Sequence, residues 1–320
     1  MCAQSEVSGT TDHNESPEYL SVGDLGVDSV ARIDHLPRVD EKLWLELAGD
    51  YPGGMMGNAA ATAAALGISA GVAAMVGSDA RGGLVVDALV RRDVDTRFVQ
   101  PIDEPTFWTL SLTTPSGDRT LLQFPTKAFG VDWAALDTSM LTGTRWLHTA
   151  AEQGEQVRTI LEDARGWGTT TSLDIEYPFV LRKDLPDLLE FVDVAFLNAG
   201  AADALGGAEQ AASYVQEQGA GTAVITLGER GAFLLERSGQ ARDVAPHEVT
   251  AVDTNGAGDA FAAAYAAARL KGFDEADAAE LAAVVAAVST TVTGGFGPTL
   301  TTADVRAIAE EGGYGWWQRL

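Results

Sequence analysis

The sequence predicts an α/β protein, built as a three-layer α/β/α sandwich with a mostly parallel central sheet and a small β-lid. Short apolar runs alternate with helical patterns along most of the 320 residues. This order places parallel strands side by side and helices on both faces of the sheet. Two segments, at approximately residues 27–47 and 106–124, break the alternation with period-two patterns, and we assign them to the lid; the alternative is a surface hairpin with no role.

The amino-terminal half begins with a buried strand in YLSVGDL, residues 19–25. A helix of small residues follows in GNAAATAAALG and ends at Gly67, where a glycine commonly stops a helix. SAGVAAMVG, residues 69–77, predicts the next strand, and a helix is predicted over about residues 80–92. In the second lid segment, Pro-Ser-Gly-Asp at residues 115–118 predicts a hairpin turn.

The carboxy-terminal half continues the alternation. The predicted strands are TRWLHTA, TTTSLDI, VDVAFLN, TAVITLG and GAFLLE, which begin at residues 144, 169, 192, 222 and 231. Two long helices are then predicted, over residues 256–272 and 274–292. Their many alanines predict close packing against the sheet.

The composition restricts the partners. A formal net charge of −25 argues against nucleic acid, whose phosphates are bound by clusters of Lys and Arg. No apolar run reaches the roughly 18 residues of a membrane helix. Residues 1–18 lack the basic patch and apolar stretch of a signal peptide, and we expect a disordered tail there. The one cysteine, Cys2, lies in this tail, which favours a reducing cytoplasm.

The stretch with the most specific chemistry is DTNGAGDAF, residues 253–261. Gly256 and Gly258 allow close backbone approach, and Ala257 adds almost no bulk. The helix predicted from about Gly258 begins with unpaired N–H groups and the positive end of its dipole. These features predict an anion hole for a phosphoryl group in transfer, with Asp259 placed to accept the proton of an attacking hydroxyl. The alternative is that Asp259 only caps the helix.

Other phosphate-binding motifs fit less well. No Gly-Lys dipeptide occurs, which excludes a Walker A loop. A dinucleotide fingerprint needs a third glycine where this chain has Phe261, and it belongs in a first βα unit. The HRD loop of protein kinases is absent.

Residues 253–261 resemble the carboxy-terminal signature of the ribokinase family, also called the PfkB carbohydrate kinases, in which the last Asp of D-T-x-G-A-G-D-x-F is the general base. The resemblance covers nearly the whole chain and implies a ribokinase-like fold. The similar stretches are VGDLGVDSVARIDHLP, GGMMGNAAATAAALG, VGSDARGGLVVDALVRRDVDT, ITLGERGAFL and TVTGGFGP.

The resemblance implies an ATP-dependent carbohydrate kinase and gives roles to individual residues. The implied catalytic residues are Asp259 as the base, with Gly256, Ala257 and Gly258 in the anion hole. The implied substrate-binding residues are Asp28, Gly53, Gly54 and Asn58. The residues implied to lie beside the nucleotide are Asn198, Thr226, Gly228 and Gly231.

The implied cofactors are ATP and Mg²⁺, and K⁺ is the implied ion near Asp253, where the late loop 291–298 meets the signature. The implied partners are a small sugar or sugar-like substrate and a second copy of the chain, paired through the lid. No nucleic acid or membrane partner is expected.

The chain departs from the family at two places. Many members carry a Glu three residues after the Asn at position 198, where this chain has Ala201. Ribokinases carry a Lys after the paired glycines, where this chain has Met55 followed by Met56. A nucleoside or sugar-phosphate kinase of the same fold, or a non-catalytic nucleotide- or sugar-binding regulator, therefore stays open. A phosphorylated substrate would need arginines such as Arg32, Arg119 or Arg145 in the pocket.

Overall fold

A computed structural model of the chain describes residues 15–115, 119–297 and 300–320. Most of the predicted tail, residues 1–14, lies outside the described residues, as do residues 116–118 of the predicted hairpin turn and Pro298 of the late loop. Within the tail, Ser16 donates a hydrogen bond of 2.8 Å to the carbonyl oxygen of Met140, so residues just before the first strand contact the domain.

The strands are β1 (Tyr19–Asp24), β2 (Gly26–Arg32), β3 (Glu46–Gly53), β4 (Ala70–Gly77), β5 (Asp95–Ile102), β6 (Trp108–Thr113), β7 (Arg119–Phe124), β8 (Trp146–Ala150), β9 (Thr170–Ile175), β10 (Val194–Asn198), β11 (Thr222–Thr226), β12 (Ala232–Leu235) and β13 (Ala241–Val244). The helices are α1 (Met55–Ala65), α2 (Ala80–Val90), α3 (Gln156–Gly166), α4 (Leu185–Leu189), α5 (Ala199–Ala204), α6 (Ala208–Glu217), α7 (Ala257–Leu270), α8 (Glu275–Ser289) and α9 (Thr302–Glu311).

The central sheet has nine strands in the order β13-β12-β11-β10-β9-β8-β1-β4-β5. All neighbours from β11 to β5 pair in parallel, and β12 and β13 add an antiparallel edge. The predicted mostly parallel sheet is confirmed. The carboxyl ends of its parallel strands meet at one edge, which is where open α/β sheets bind ligands.

The second sheet contains both predicted lid segments, in the order β3-β2-β6-β7. Each segment forms an antiparallel pair, but β2 and β6 join the two segments in parallel. Two hairpin-like segments distant in sequence thus make one small sheet. The sequence patterns show each pair but carry no information on how the pairs join.

Helix α7 is held in place by the close packing of small residues. Residues 260–268 of α7 are all buried, and α7 packs against α8 and α1. On α1 the buried alanines include Ala59, Ala60 and Ala63. Because alanine side chains let helix backbones approach closely, α1 and α7 place their amino termini together at the carboxyl edge of the sheet.

Strand β5 was missed in the sequence. It is the edge strand beside β4, and its run is broken by Arg97 and Pro101. Proline is tolerated in edge strands because one side of the backbone needs no ladder partner. Among the described helices, none is long and apolar enough to cross a membrane.

Candidate active site

A cavity of about 240 Å³ lies at the carboxyl edge of the central sheet, beneath the lid. It is lined by the ends of strands β1, β9, β10 and β11, by the start of α1, and by residues from the stretch 254–259. Lid residues Phe107, Thr109, Leu121 and Gln123 cover it. The predicted signature therefore opens onto an enclosed space between sheet and lid.

Asp259 lines this cavity and is buried, with 7 % of its surface exposed. Its Oδ2 accepts a hydrogen bond of 2.6 Å from Nδ2 of Asn58 on α1. The residue that caps α7 is Gly256, and no side chain makes a capping hydrogen bond there. Asp259 therefore does not cap its helix, and its carboxyl group is directed to Asn58 and the cavity.

The start of α7 leaves two backbone donors unused. The N–H of Ala257 makes a long bond of 3.4 Å to the carbonyl oxygen of Thr254, and the N–H of Ala260 donates to Gly256 at 2.9 Å. Between them, the N–H groups of Gly258 and Asp259 have no acceptor among the described residues. Free amides at the positive end of a helix form a site for an anion.

The two glycines of the signature serve different purposes. Gly256 has a φ of 76°, and an added Cβ would lie 2.6 Å from the carbonyl oxygen of Gly295, so no larger residue fits without a shift. A Cβ on Gly258 would meet nothing within 4 Å, although Gly258 lines the cavity. Gly256 is therefore required by the turn, whereas Gly258 leaves space open in front of the amides.

The paired glycines make room for Asp28. A Cβ on Gly53 would lie 2.6 Å from Oδ2 of Asp28, and a Cβ on Gly54, with φ 91°, would lie 2.8 Å from the carbonyl oxygen of Asp24. The same Oδ2 of Asp28 accepts a bond of 2.7 Å from Asn255. Both glycines thus contact β1 and β2 within the chain, and approach to a sugar stays a prediction.

The methionines divide between the pocket and the core. Met55 lines the cavity, and its backbone N–H donates to Asp24 at 3.1 Å. Met56 is fully buried in the hydrophobic core. Only one of the two therefore shapes the cavity.

On the predicted nucleotide side, Asn198 and Thr226 line the cavity at the ends of β10 and β11. Asn198 caps α5 by accepting the N–H of Ala201 at 2.9 Å. Gly228 and Gly231 lie in the turn between β11 and β12, outside the cavity lining. Their role beside the nucleotide stays a prediction.

Asp253 joins the signature to the late loop. Its Oδ1 accepts the N–H of Asn255 at 3.0 Å, and its Oδ2 accepts the N–H of Gly294 at 3.1 Å. The two loops predicted to hold a monovalent cation are thus held together by this carboxylate.

Sequence analysis missed three of the six acidic residues in the cavity, Asp24, Asp174 and Glu176, which line it together with Glu152. Burial, and then neighbouring carboxylates, raise the pKa of Asp259 and of Glu152 to about 8 and that of Asp174 well above its usual range. Their common signal was available in the sequence, because each lies at or just after the carboxyl end of a predicted strand.

His148, at the end of the predicted strand TRWLHTA, is a core residue. It is 1 % exposed and its Nδ1 hydrogen-bonds to the hydroxyl of Ser172 at 2.9 Å. Burial lowers its pKa to about 4, so it is neutral within the sheet.

Glu152→Gln is expected to stabilise the protein in alkaline solution. Because the folded-state pKa of Glu152 lies above its unfolded value, the folded protein holds a proton that the unfolded chain releases between about pH 4.5 and 8. This contribution to the free energy of unfolding is complete below that window and is lost as the pH rises through it. Thermal unfolding at pH 8 should give the variant the higher Tm, and the two proteins should converge near pH 4.

The matched control is Asp87→Asn, on the exposed face of α2, which should shift Tm little at either pH. A Glu152→Gln protein that is less stable than the wild type at pH 8 would contradict this account of the cavity.

Comparisons with known proteins agree with this geometry. The family model described as pfkB family carbohydrate kinase matches residues 48–302. An ATP-dependent ribose-1-phosphate kinase from Halopiger xanaduensis is 29 % identical over 266 residues, covering 82 % of this chain and 88 % of that protein. A ribokinase from Haemophilus influenzae is 26 % identical over 295 residues, covering 80 % and 87 %.

The fold also has close counterparts among solved structures. The crystal structure of a ribokinase from Thermotoga maritima superimposes with a TM-score of 0.81, covering 92 % of this chain and 99 % of that one at 23 % identity. The family model spans well over half of the sequence and includes the signature that builds the cavity wall. The chain therefore belongs to the pfkB family of carbohydrate kinases.

Proposed function

We propose that the protein transfers the γ-phosphoryl group of ATP to a hydroxyl of a small sugar or sugar-like substrate. One observation carries the proposal: the buried carboxyl of Asp259 and the free N–H groups of Gly258 and Asp259 belong to the same wall of one cavity. A proton acceptor beside an anion site is what phosphoryl transfer to a hydroxyl requires.

The residues present fit a nucleotide. The amides at the start of α7 would face its terminal phosphate, and Asn198 and Thr226, with Gly228 and Gly231 farther out, would lie along the rest of it. Bound Mg²⁺ supplies charge neutralisation of the phosphates. The described part of the chain holds no cluster of three or more His, Cys, Asp or Glu side chains able to ligate a metal, so the nucleotide's own phosphates would hold Mg²⁺. K⁺ beside Asp253 is part of the same proposal.

The acceptor would lie between Asp28, Asn58 and Asp259. Asp28 and Asn58 would orient its hydroxyls, and Asp259 would take the proton as the oxygen bonds to the γ-phosphorus and the bond to ADP breaks. Because the pKa of Asp259 is raised to about 8, its carboxylate is a stronger base than an exposed Asp. The lid would keep water from competing for the phosphoryl group.

The test is ADP release with MgATP over neutral sugars, sugar acids, sugar phosphates and nucleosides. We expect a sugar or sugar-like alcohol to give the highest kcat/KM. A clear preference for a nucleoside or a sugar phosphate would instead select one of the rival kinases. Nucleotide binding without transfer to any alcohol would favour a regulator, a reading that the Ala201 departure supports.

We also propose that two copies pair through the lid, because its surface carries exposed apolar side chains. Trp44 is 99 % exposed, and Leu47 and Phe124 lie on strands of the same sheet at 64 % and 40 %. Trp44→Glu should weaken dimerisation by about 30-fold or more, since a large aromatic often anchors an interface. Light scattering after size exclusion would measure this. Leu181→Glu, exposed outside the lid, is the control, and a wild type that is monomeric at all concentrations would contradict the proposal.

A further inference from the structure

The charge of the cavity points to a class of substrate. Six carboxyl groups line it: Asp24, Asp28, Glu152, Asp174, Glu176 and Asp259. Among the described side chains, the lining contains no Lys, Arg or His. Neutral donors hold four of them. Asn255, Asn58 and Asn198 donate to Asp28, Asp259 and Glu176, and the backbone of Met55 donates to Asp24.

The other two carboxyls receive less: one backbone donor for Asp174 and no hydrogen bond from the described chain for Glu152. Asp174 is 8 % exposed, and apart from the backbone of Ile175 no described group donates a hydrogen bond to it. Glu152 receives no hydrogen bond from the described chain, and its charged neighbours are the carboxyls of Asp24, Glu176 and Asp259. A carboxyl that faces a cavity with few donors gains most from a ligand that supplies them.

Arg32 and Arg145, two of the three arginines named as phosphate ligands, do not reach this cavity. Arg32 pairs with Glu46 on the exposed surface of the lid at 3.8 Å. Arg145 pairs with Glu18 at 2.7 Å, at the amino end of β8 and so at the opposite edge of the sheet. The side chain of Arg119 lies outside what the structure describes. A phosphorylated acceptor would place its negative charge among carboxylates, which electrostatic complementarity disfavours.

We propose that the acceptor carries a protonated amine besides the hydroxyl that is phosphorylated, as in an amino sugar or amino polyol, and that Glu152 and Asp174 bind this amine. The inference rests on the proposed kinase function. An ammonium supplies three donors and one positive charge to carboxyls that have few donors and no described cation beside them, and such charge-assisted bonds are roughly twice as strong as neutral ones. A metal ion fits less well, because no three His, Cys, Asp or Glu side chains of the described residues are placed to ligate one together.

The experiment compares matched acceptors with MgATP. For each of three scaffolds, an aldose, a ketose and an acyclic polyol, kcat/KM is measured for the amino form, the hydroxyl form, the N-acetyl form and the phosphate ester. On at least one scaffold we expect the amine to exceed the hydroxyl and N-acetyl forms by about tenfold or more. In Glu152→Gln and Asp174→Asn this ratio should fall towards one, while Asp87→Asn keeps it.

Thermal unfolding of each variant separates lost recognition from lost folding, since the ratio is compared only in proteins that unfold cooperatively. Equal use of amine and hydroxyl forms, efficient use of a phosphate ester, or an amine preference that survives in both variants would overturn the inference and leave the kinase function standing. Transfer to no alcohol at all would overturn the proposed function, and the inference would fall with it.

Discussion

Asp259→Asn is expected to lower kcat by about 10²–10⁴-fold, the range that a positioned general base contributes. The amide cannot take the acceptor's proton, whereas the bond from Asn58 can still reach an oxygen at position 259. The variant should also be more stable, because burial and nearby carboxyls make the charged form of Asp259 unfavourable. A gain of about 1 kcal/mol would raise Tm by roughly 1.5 °C for a chain of 320 residues. Steady-state kinetics and thermal unfolding at pH 8 measure both effects.

The two readouts distinguish a base from a helix cap. A capping Asp would lose stability when changed to Asn or Ala, with specific activity retained by the molecules that stay folded. The same assays on Asp87→Asn set the baseline for removing a carboxylate from an exposed helix surface. An Asp259→Asn enzyme with kcat within tenfold of the wild type would rule out general-base catalysis by this residue.

Gly258→Ala should likewise lower kcat without loss of stability. The added methyl meets no protein atom within 4 Å, so the fold accepts it, and the exchange favours helix by about 0.5–1 kcal/mol. The methyl enters the space in front of the free amides, where we place the phosphoryl group. Loss of one such donor costs about 10²–10³ in kcat, and we expect a loss of that size.

Gly256→Ala is the matched comparison, two residues earlier in the same loop. Its methyl would lie 2.6 Å from the carbonyl oxygen of Gly295 at a φ of 76°, so this variant should lose stability as well as activity. Gly258→Ala with wild-type kcat would show that no phosphoryl group approaches these amides.

Much of the fold follows from local patterns. The alternation of strands and helices predicts the parallel sheet because strand order along the chain and helical crossovers restrict the topology. The two period-two segments predict the antiparallel strand pairs of the lid, because alternating apolar and polar residues are typical of strands with one buried face. The parallel pairing of β2 with β6 is a contact between distant segments, and edge strand β5 was hidden by Arg97 and Pro101.

The residues of the candidate site, too, could be predicted from the sequence only in part. The signature, with Asp28 and Asn58, was visible because its residues are close in sequence or share a family pattern. Asp24, Asp174 and Glu176 were overlooked although each lies at or just after the carboxyl end of a predicted strand, because they meet only in the folded chain. Neither composition nor spacing indicates that so many carboxyls share one cavity without a described cation. That arrangement carries the inference about the substrate.

The central claim concerns geometry: a phosphoryl group held at the start of α7 with the acceptor hydroxyl against Asp259. The most direct measurement is a crystal structure with MgADP, an aluminium fluoride mimic of the phosphoryl group and the best acceptor of the panel. We expect the N–H groups of Gly258 and Asp259 within about 3.1 Å of the mimic. The acceptor hydroxyl should lie about 2.6–3.2 Å from the carboxyl of Asp259. A mimic bound away from α7, or an acceptor whose nearest hydroxyl lies beyond the reach of Asp259, would contradict the account.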